Sequence, residues 1–115
     1  MNEHDVFVAA ERPAPVVRAV IEAALGAAFT PGQAPELPVA LATGTTMVFF
    51  HDSHPFEDDV DFPVTRYRYW VNIHDTTRNT ERQLATARCV FDAVTAEGWS
   101  AMLSYGTQGH LAIYP

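Results

Sequence analysis

The chain has 115 residues, 48% of them apolar, which suits one domain with its own core and excludes a disordered chain. Its fourteen acids and seven arginines leave a net charge of −7, and there is no lysine. That balance opposes general binding to phosphate backbones, and the missing lysine removes Schiff-base chemistry and a P-loop.

The start, Met1-Asn2-Glu3-His4-Asp5, is acidic and polar, unlike the basic-then-apolar pattern of a secretory signal. Residues 5–10 read as a short strand with Val6 and Val8 on one face. Pro13 and Pro15 suit the first turn of a helix, where a missing N–H costs little. Val16, Val17, Val20, Ile21, Ala24, Leu25 and Ala28 recur at helical spacing, and Pro31-Gly32 is expected to end the helix. Residues 31–44 read as a Pro-containing connection, and the β-branched and aromatic run Thr45–Phe50 as the second strand.

Beyond an acidic loop, residues 64–74 alternate as a strand. Tyr67, Tyr69, Val71 and Ile73 would face one side, and Arg66, Arg68, Trp70 and Asn72 the other. Thr80-Glu81-Arg82-Gln83 matches a capping box, in which the side chains of Thr80 and Gln83 satisfy free amides at a helix start. Leu84, Ala87, Val90, Phe91 and Val94 supply the apolar face of that helix, and Gly98 is a natural C′ residue. Cys89 lies within it. A lone cysteine excludes an intramolecular disulfide and a structural zinc or iron–sulfur site, and here it reads as a small buried hydrophobe. With the polar N-terminus, it points to a reducing, cytoplasmic setting. Trp99–Tyr105 and His110–Tyr114 read as a final hairpin turned by residues 106–109. No apolar run approaches the ~20 residues needed to span a bilayer, so no membrane partner is expected.

The order is β-α-β-β-α-β plus an extra C-terminal strand, in a single domain over 1–115. It predicts a ferredoxin-like α+β sandwich, two helices on one face of a mainly antiparallel sheet. Many unrelated functions use such a scaffold, so function has to come from a site.

The stretch 51–61 concentrates chemistry. It carries Asp52, Glu57, Asp58, Asp59 and Asp61, five of the fourteen acids, with no arginine. His51 and His54 beside these acids are candidate metal ligands, and His74-Asp75 could extend the set. If residues 45–50 and 64–74 pair as a hairpin, His51 lies beside Val64, and His74 is about 33 Å away at ~3.3 Å per residue. The two histidine groups then cannot share one ion. A solvated acidic loop is the simpler reading, with no metal or other cofactor and no catalytic residue assigned. Phe56, Arg66, Arg68 and Trp70 join the five acids as the expected partner-binding surface, because aromatic and arginine side chains anchor interfaces.

Two resemblances bear on the partner. Arg66-Tyr67-Arg68-Tyr69-Trp70-Val71 with Val6-Phe7-Val8 resembles the paired sheet motifs of RNA-recognition domains, which stack bases on sheet aromatics. The expected glycine is absent and the chain is acidic, so no nucleic-acid partner is expected. Phe62-Pro63-x-Thr65-x-Tyr67, Arg78 before a helix with Ala87-x-x-Val90-Phe91, Gly98-x-x-Ala101-Met102-Leu103, and Leu111-Ala112-x-Tyr114-Pro115 cover about half the chain. This pattern resembles small single-domain bacterial immunity proteins of polymorphic toxin systems. The resemblance implies a non-enzymatic, cytoplasmic, antitoxin-like protein that blocks a basic toxin, steered by acidic charge. The alternatives are a small metal- or ligand-dependent enzyme using His51, His54 and nearby carboxylates, and a homo-oligomeric scaffold such as a homodimer that buries the open sheet face.

Overall fold

Alternation of apolar residues sets the first strand, β1 (His4–Ala9): Val6 and Val8 are fully buried on one face and Phe7 on the other. The computed structural model describes residues 3–30, 38–56, 58, 64–106 and 110–114. Helix α1 (Ala14–Leu25) starts after Pro13, with Pro15 in its first turn as expected, and buries Ala14, Val17 and Ile21. It stops earlier than Pro31. Gly26 takes the left-handed conformation at φ 66°, and its N–H closes on the Glu22 carbonyl at 2.9 Å. Ala28 therefore lies outside the helix.

The expected connection 31–44 contains a strand, β2 (Val39–Thr43), which pairs with β3 (Thr46–His51) through the two-residue turn Gly44-Thr45. Gly44, at φ 61°, supplies the positive first dihedral that such hairpin turns require. Thr30 caps the outer edge of β2 by pairing with Ala40, its N–H reaching the Ala40 carbonyl at 2.8 Å.

Residues 64–74 do not form one strand. Val64–Arg66 is a 3₁₀ turn, closed by the Tyr67 N–H on the Val64 carbonyl at 3.0 Å, and β4 runs from Tyr69 to Asp75. The turn takes Tyr67 out of the strand alternation. Tyr69, Val71 and Ile73 face the helices, whereas Tyr67 packs with Phe7, Val64 and Met102 on the opposite side of the sheet.

Helix α2 (Thr80–Ala96) is capped one residue before the expected box. Asn79 accepts the Arg82 N–H at 3.0 Å. Gln83 is drawn inward instead: its Oε1 accepts the Asp75 N–H at 2.9 Å, so its amide nitrogen donates to His4 Nδ1 at 2.7 Å. Ala87, Val90, Phe91 and Val94 form the buried face, and Cys89 sits half-buried with its thiol directed at the Ala24 carbonyl of α1. Gly98 follows the helix at φ 86°, the conformation expected of it. Strands β5 (Ser100–Tyr105) and β6 (His110–Tyr114) pair antiparallel, as the hairpin reading requires.

The six strands are ordered β2-β3-β4-β1-β5-β6, and every neighbouring pair is antiparallel. Two helices pack on this open sheet, and the main core lies between them and one of its faces, with Val6, Val8, Val17, Ile21, Phe50, Tyr69, Val90 and Leu103 at its centre. Each such side chain contributes about 1.5–3 kcal/mol of burial. The α+β architecture agrees with the sequence, with one strand more than expected. No helix among the described residues is long and apolar enough to cross a membrane.

Candidate functional site on the open sheet face

The face turned away from the helices is organised by strand register. Met102, Phe7, Trp70 and His51 are successive cross-strand partners on β5, β1, β4 and β3 and form one row. The His51 and Trp70 rings stack at 4.0 Å and 19°, and burial lowers the His51 pKa. His74 pairs with Met47 on the same two strands, four positions from the Trp70–His51 pair. That corrects the expected separation of the two histidines to about 13 Å along the strand, because His51 faces Trp70 rather than Val64.

After His51 the chain folds back over this row. Both nitrogens of His54 are engaged: Nε2 meets the carbonyls of Val64 at 3.0 Å and Tyr67 at 2.6 Å, and Nδ1 accepts the Phe56 N–H at 3.3 Å. Carbonyls only accept, so Nε2 carries a proton and donates to them. Metal ligation through this ring would break those bonds. Phe56 then stands edge-on to Trp70 at 4.8 Å and to Phe7 at 6.0 Å, yet remains 43% exposed. The result is an aromatic platform with an apolar ring presented to solvent.

The other expected contact residues are distributed around it. Asp58 holds the 3₁₀ turn, accepting the Thr65 N–H at 2.8 Å and the Thr65 hydroxyl at 2.7 Å. The backbone bond first, then the hydroxyl, keeps its carboxyl below the ordinary range. Asp52 turns toward the helix layer, 3.6 Å from the Arg18 guanidinium of α1, away from the platform. Arg66 and Arg68 are exposed and lie over Tyr67 and Tyr69, rings that belong to opposite faces of the sheet. Glu57, Asp59 and Asp61 lie outside the described residues. Of the expected set, Phe56, Trp70, Asp58 and Arg66 share one side, and Asp52 and Arg68 do not join them. Among the described residues, no three His, Cys, Asp or Glu side chains are grouped closely enough to hold a metal ion.

Two polar networks escaped the sequence reading. On the open face, Trp70 Nε1 donates to Asp5 Oδ1 at 2.8 Å, and Asn72 Nδ2 donates to Asp5 Oδ1 at 2.9 Å and to Glu3 Oε1 at 2.8 Å. Burial, reinforced by the charge of Glu3, raises the Asp5 pKa, and the Asn72 and Trp70 bonds offset part of that rise. At the end of β4, the fully buried Asp75 accepts from the hydroxyls of Thr45 at 2.6 Å and Thr46 at 3.0 Å, from the Thr77 hydroxyl and N–H, and from the Asn79 N–H at 2.9 Å. The Thr45 bond leads the set that holds its carboxyl far below the usual range. An Asp followed by Thr-Thr-Arg-Asn ahead of a helix is a readable Asx-turn signal. The Glu3–Asp5–Asn72 network has no local signature.

Comparison with family models, with curated proteins and with solved structures gives no match to this chain.

Proposed function

We propose that this chain is a non-catalytic protein-binding module whose contact surface is the aromatic platform on the open sheet face. The exposure of Phe56 on top of Phe7, His54 and Trp70 carries the reading. An aromatic ring already braced by its neighbours loses little freedom on binding, which is how interface anchors concentrate affinity. Net charge −7 and the exposed Asp58 favour a basic partner and fast, salt-sensitive association. The described geometry offers less to an enzyme at His51 and His54, because one ring has both nitrogens engaged and the other is stacked on Trp70.

The β1-α1-β3-β4-α2-β5 portion, with strand order β3-β4-β1-β5, supports a ferredoxin-like core extended by an extra strand at each edge. With the acidic charge, this fits an immunity protein that neutralises a basic toxin. The test is calorimetric titration with a candidate basic protein toxin. Phe56→Ala should weaken binding by about 2 kcal/mol, roughly 30-fold, while leaving the thermal midpoint within a few degrees of the parent. Unchanged affinity would remove the platform as the contact surface.

A further inference from the structure

We infer that the open sheet face binds a guanidinium group, an arginine side chain of a basic protein partner, at Glu3 and Asp5. This rests on the protein-binding reading above and adds to it a charged anchor that lies in the sheet rather than in the acidic loop.

The two carboxylates are brought together by one amide. Asn72 Nδ2 donates to an oxygen of each, and Trp70 Nε1 fills the same Asp5 oxygen. The second oxygen of each carboxylate has no hydrogen-bond partner among the described residues, and the ion pairs found there, Arg18–Asp52 and Arg82–Asp75, lie elsewhere. Two half-buried like charges therefore share neutral donors and no cation. Ser104 supplies an independent observation. It is the direct cross-strand partner of Asp5 on β5, it is fully buried, and its hydroxyl has no partner. On β4, His74 follows two residues after Asn72, so alternation puts it on the same face, and its Nδ1 is also buried and unpaired. Unpaired polar atoms on the two strands neighbouring β1 thus accompany two carboxylates that have no arginine partner among the described residues.

Guanidinium fits this arrangement better than a metal or an ammonium. A metal needs several ligands around one point, and no three His, Cys, Asp or Glu side chains among the described residues are so placed. Acceptors spread over two carboxylates match a planar group with five N–H donors, which is also weakly hydrated and tolerates the aromatic flank made by Trp70. Its arrival would relieve the repulsion between Glu3 and Asp5.

The experiment titrates the isotopically labelled protein with N-acetyl-arginine methylamide, whose only charge is its guanidinium. Saturable shifts are expected at the Trp70 indole N–H and the Asn72 side-chain amide but not at the Trp99 indole. Asp5→Asn and Glu3→Gln, which each keep an acceptor oxygen, should weaken binding about tenfold. The matching lysine compound should bind several-fold more weakly. No saturable shift, equal binding by both variants and the parent, or equal binding of the lysine compound would each overturn the assignment. Toxin affinity unchanged by Phe56→Ala fails the platform alone, and absence of the arginine titration with toxin binding intact fails the guanidinium site alone.

Discussion

His54 and Phe56 hold each other in place: the Phe56 N–H donates to His54 Nδ1 at 3.3 Å, and their rings stack with centroids 5.5 Å apart. The other ring nitrogen of His54 is fastened to the carbonyls on either side of the 3₁₀ turn. One side chain thus ties the start of the acidic stretch to the 3₁₀ turn and sets the pose of the exposed aromatic ring.

Replacing His54 with Ala leaves the Val64 and Tyr67 carbonyls without their shared donor. The expected loss is about 1–3 kcal/mol, a fall in Tm of roughly 4–12 °C. Calorimetry measures the fall, and Trp70 fluorescence should change with it, because Phe56 would lose its edge contact. A Tm within a degree of the parent would show that the histidine does not fasten the loop.

Asp75 carries the strongest pH prediction. Its folded pKa is depressed below the unfolded value of about 3.9, so its contribution is fully present above that pH. It is lost as pH falls from about 4 toward the depressed folded value. Asp75→Asn should lower Tm on the order of 10 °C at pH 7, by weakening the acceptor shared by Thr45, Thr46 and Thr77. The gap between parent and variant should narrow steadily below pH 4 in a series of thermal melts.

Asp5 has the opposite sign. Its folded pKa is raised, so the folded state binds the extra proton between the unfolded value, about 3.9, and the raised one. Stability from this group falls as pH rises through that window. Asp5→Asn keeps an acceptor for Trp70 and Asn72 while removing the repulsion with Glu3, so at pH 7 its Tm should equal or exceed that of the parent. As pH drops through that window the parent should gain on the variant. A variant clearly less stable at pH 7 would contradict this account.

Gly26 ends α1 at φ 66°, and a Cβ built there meets nothing within 4 Å. The cost of Gly26→Ala is therefore conformational, about 1 kcal/mol, and Gly26→Asn should cost less because Asn tolerates the left-handed region. Denaturant melts of the two variants check the order.

Periodicity alone determined much of the architecture. Val6/Val8, the α1 stripe through Val17 and Ile21, the buried face of α2 and the β5–β6 hairpin were all readable, because each reports burial through a repeat of two or 3.6 residues. β2 was missed because Val-Ala-Leu-Ala-Thr is short and weakly β-forming, and its identity depends on pairing with β3. The 64–68 segment was misread because alternation continued through it, whereas the Tyr67–Val64 hydrogen bond and the packing of Tyr67 on Phe7 and Met102 sent its side chain to the other face.

The acidic stretch was legible as charge and as a loop, and Phe56 and Trp70 as candidate contacts. Tertiary structure decided what the stretch does: His54 pins it, Asp58 shapes the turn and Asp52 pairs with Arg18 on the far side. It also brought Glu3 and Asp5 onto the amide of Asn72, nearly seventy positions away in the chain. Local sequence encodes which residues seek burial or solvent. Which charges face one another across neighbouring strands depends on sheet order and register, and these exist only once the chain has folded.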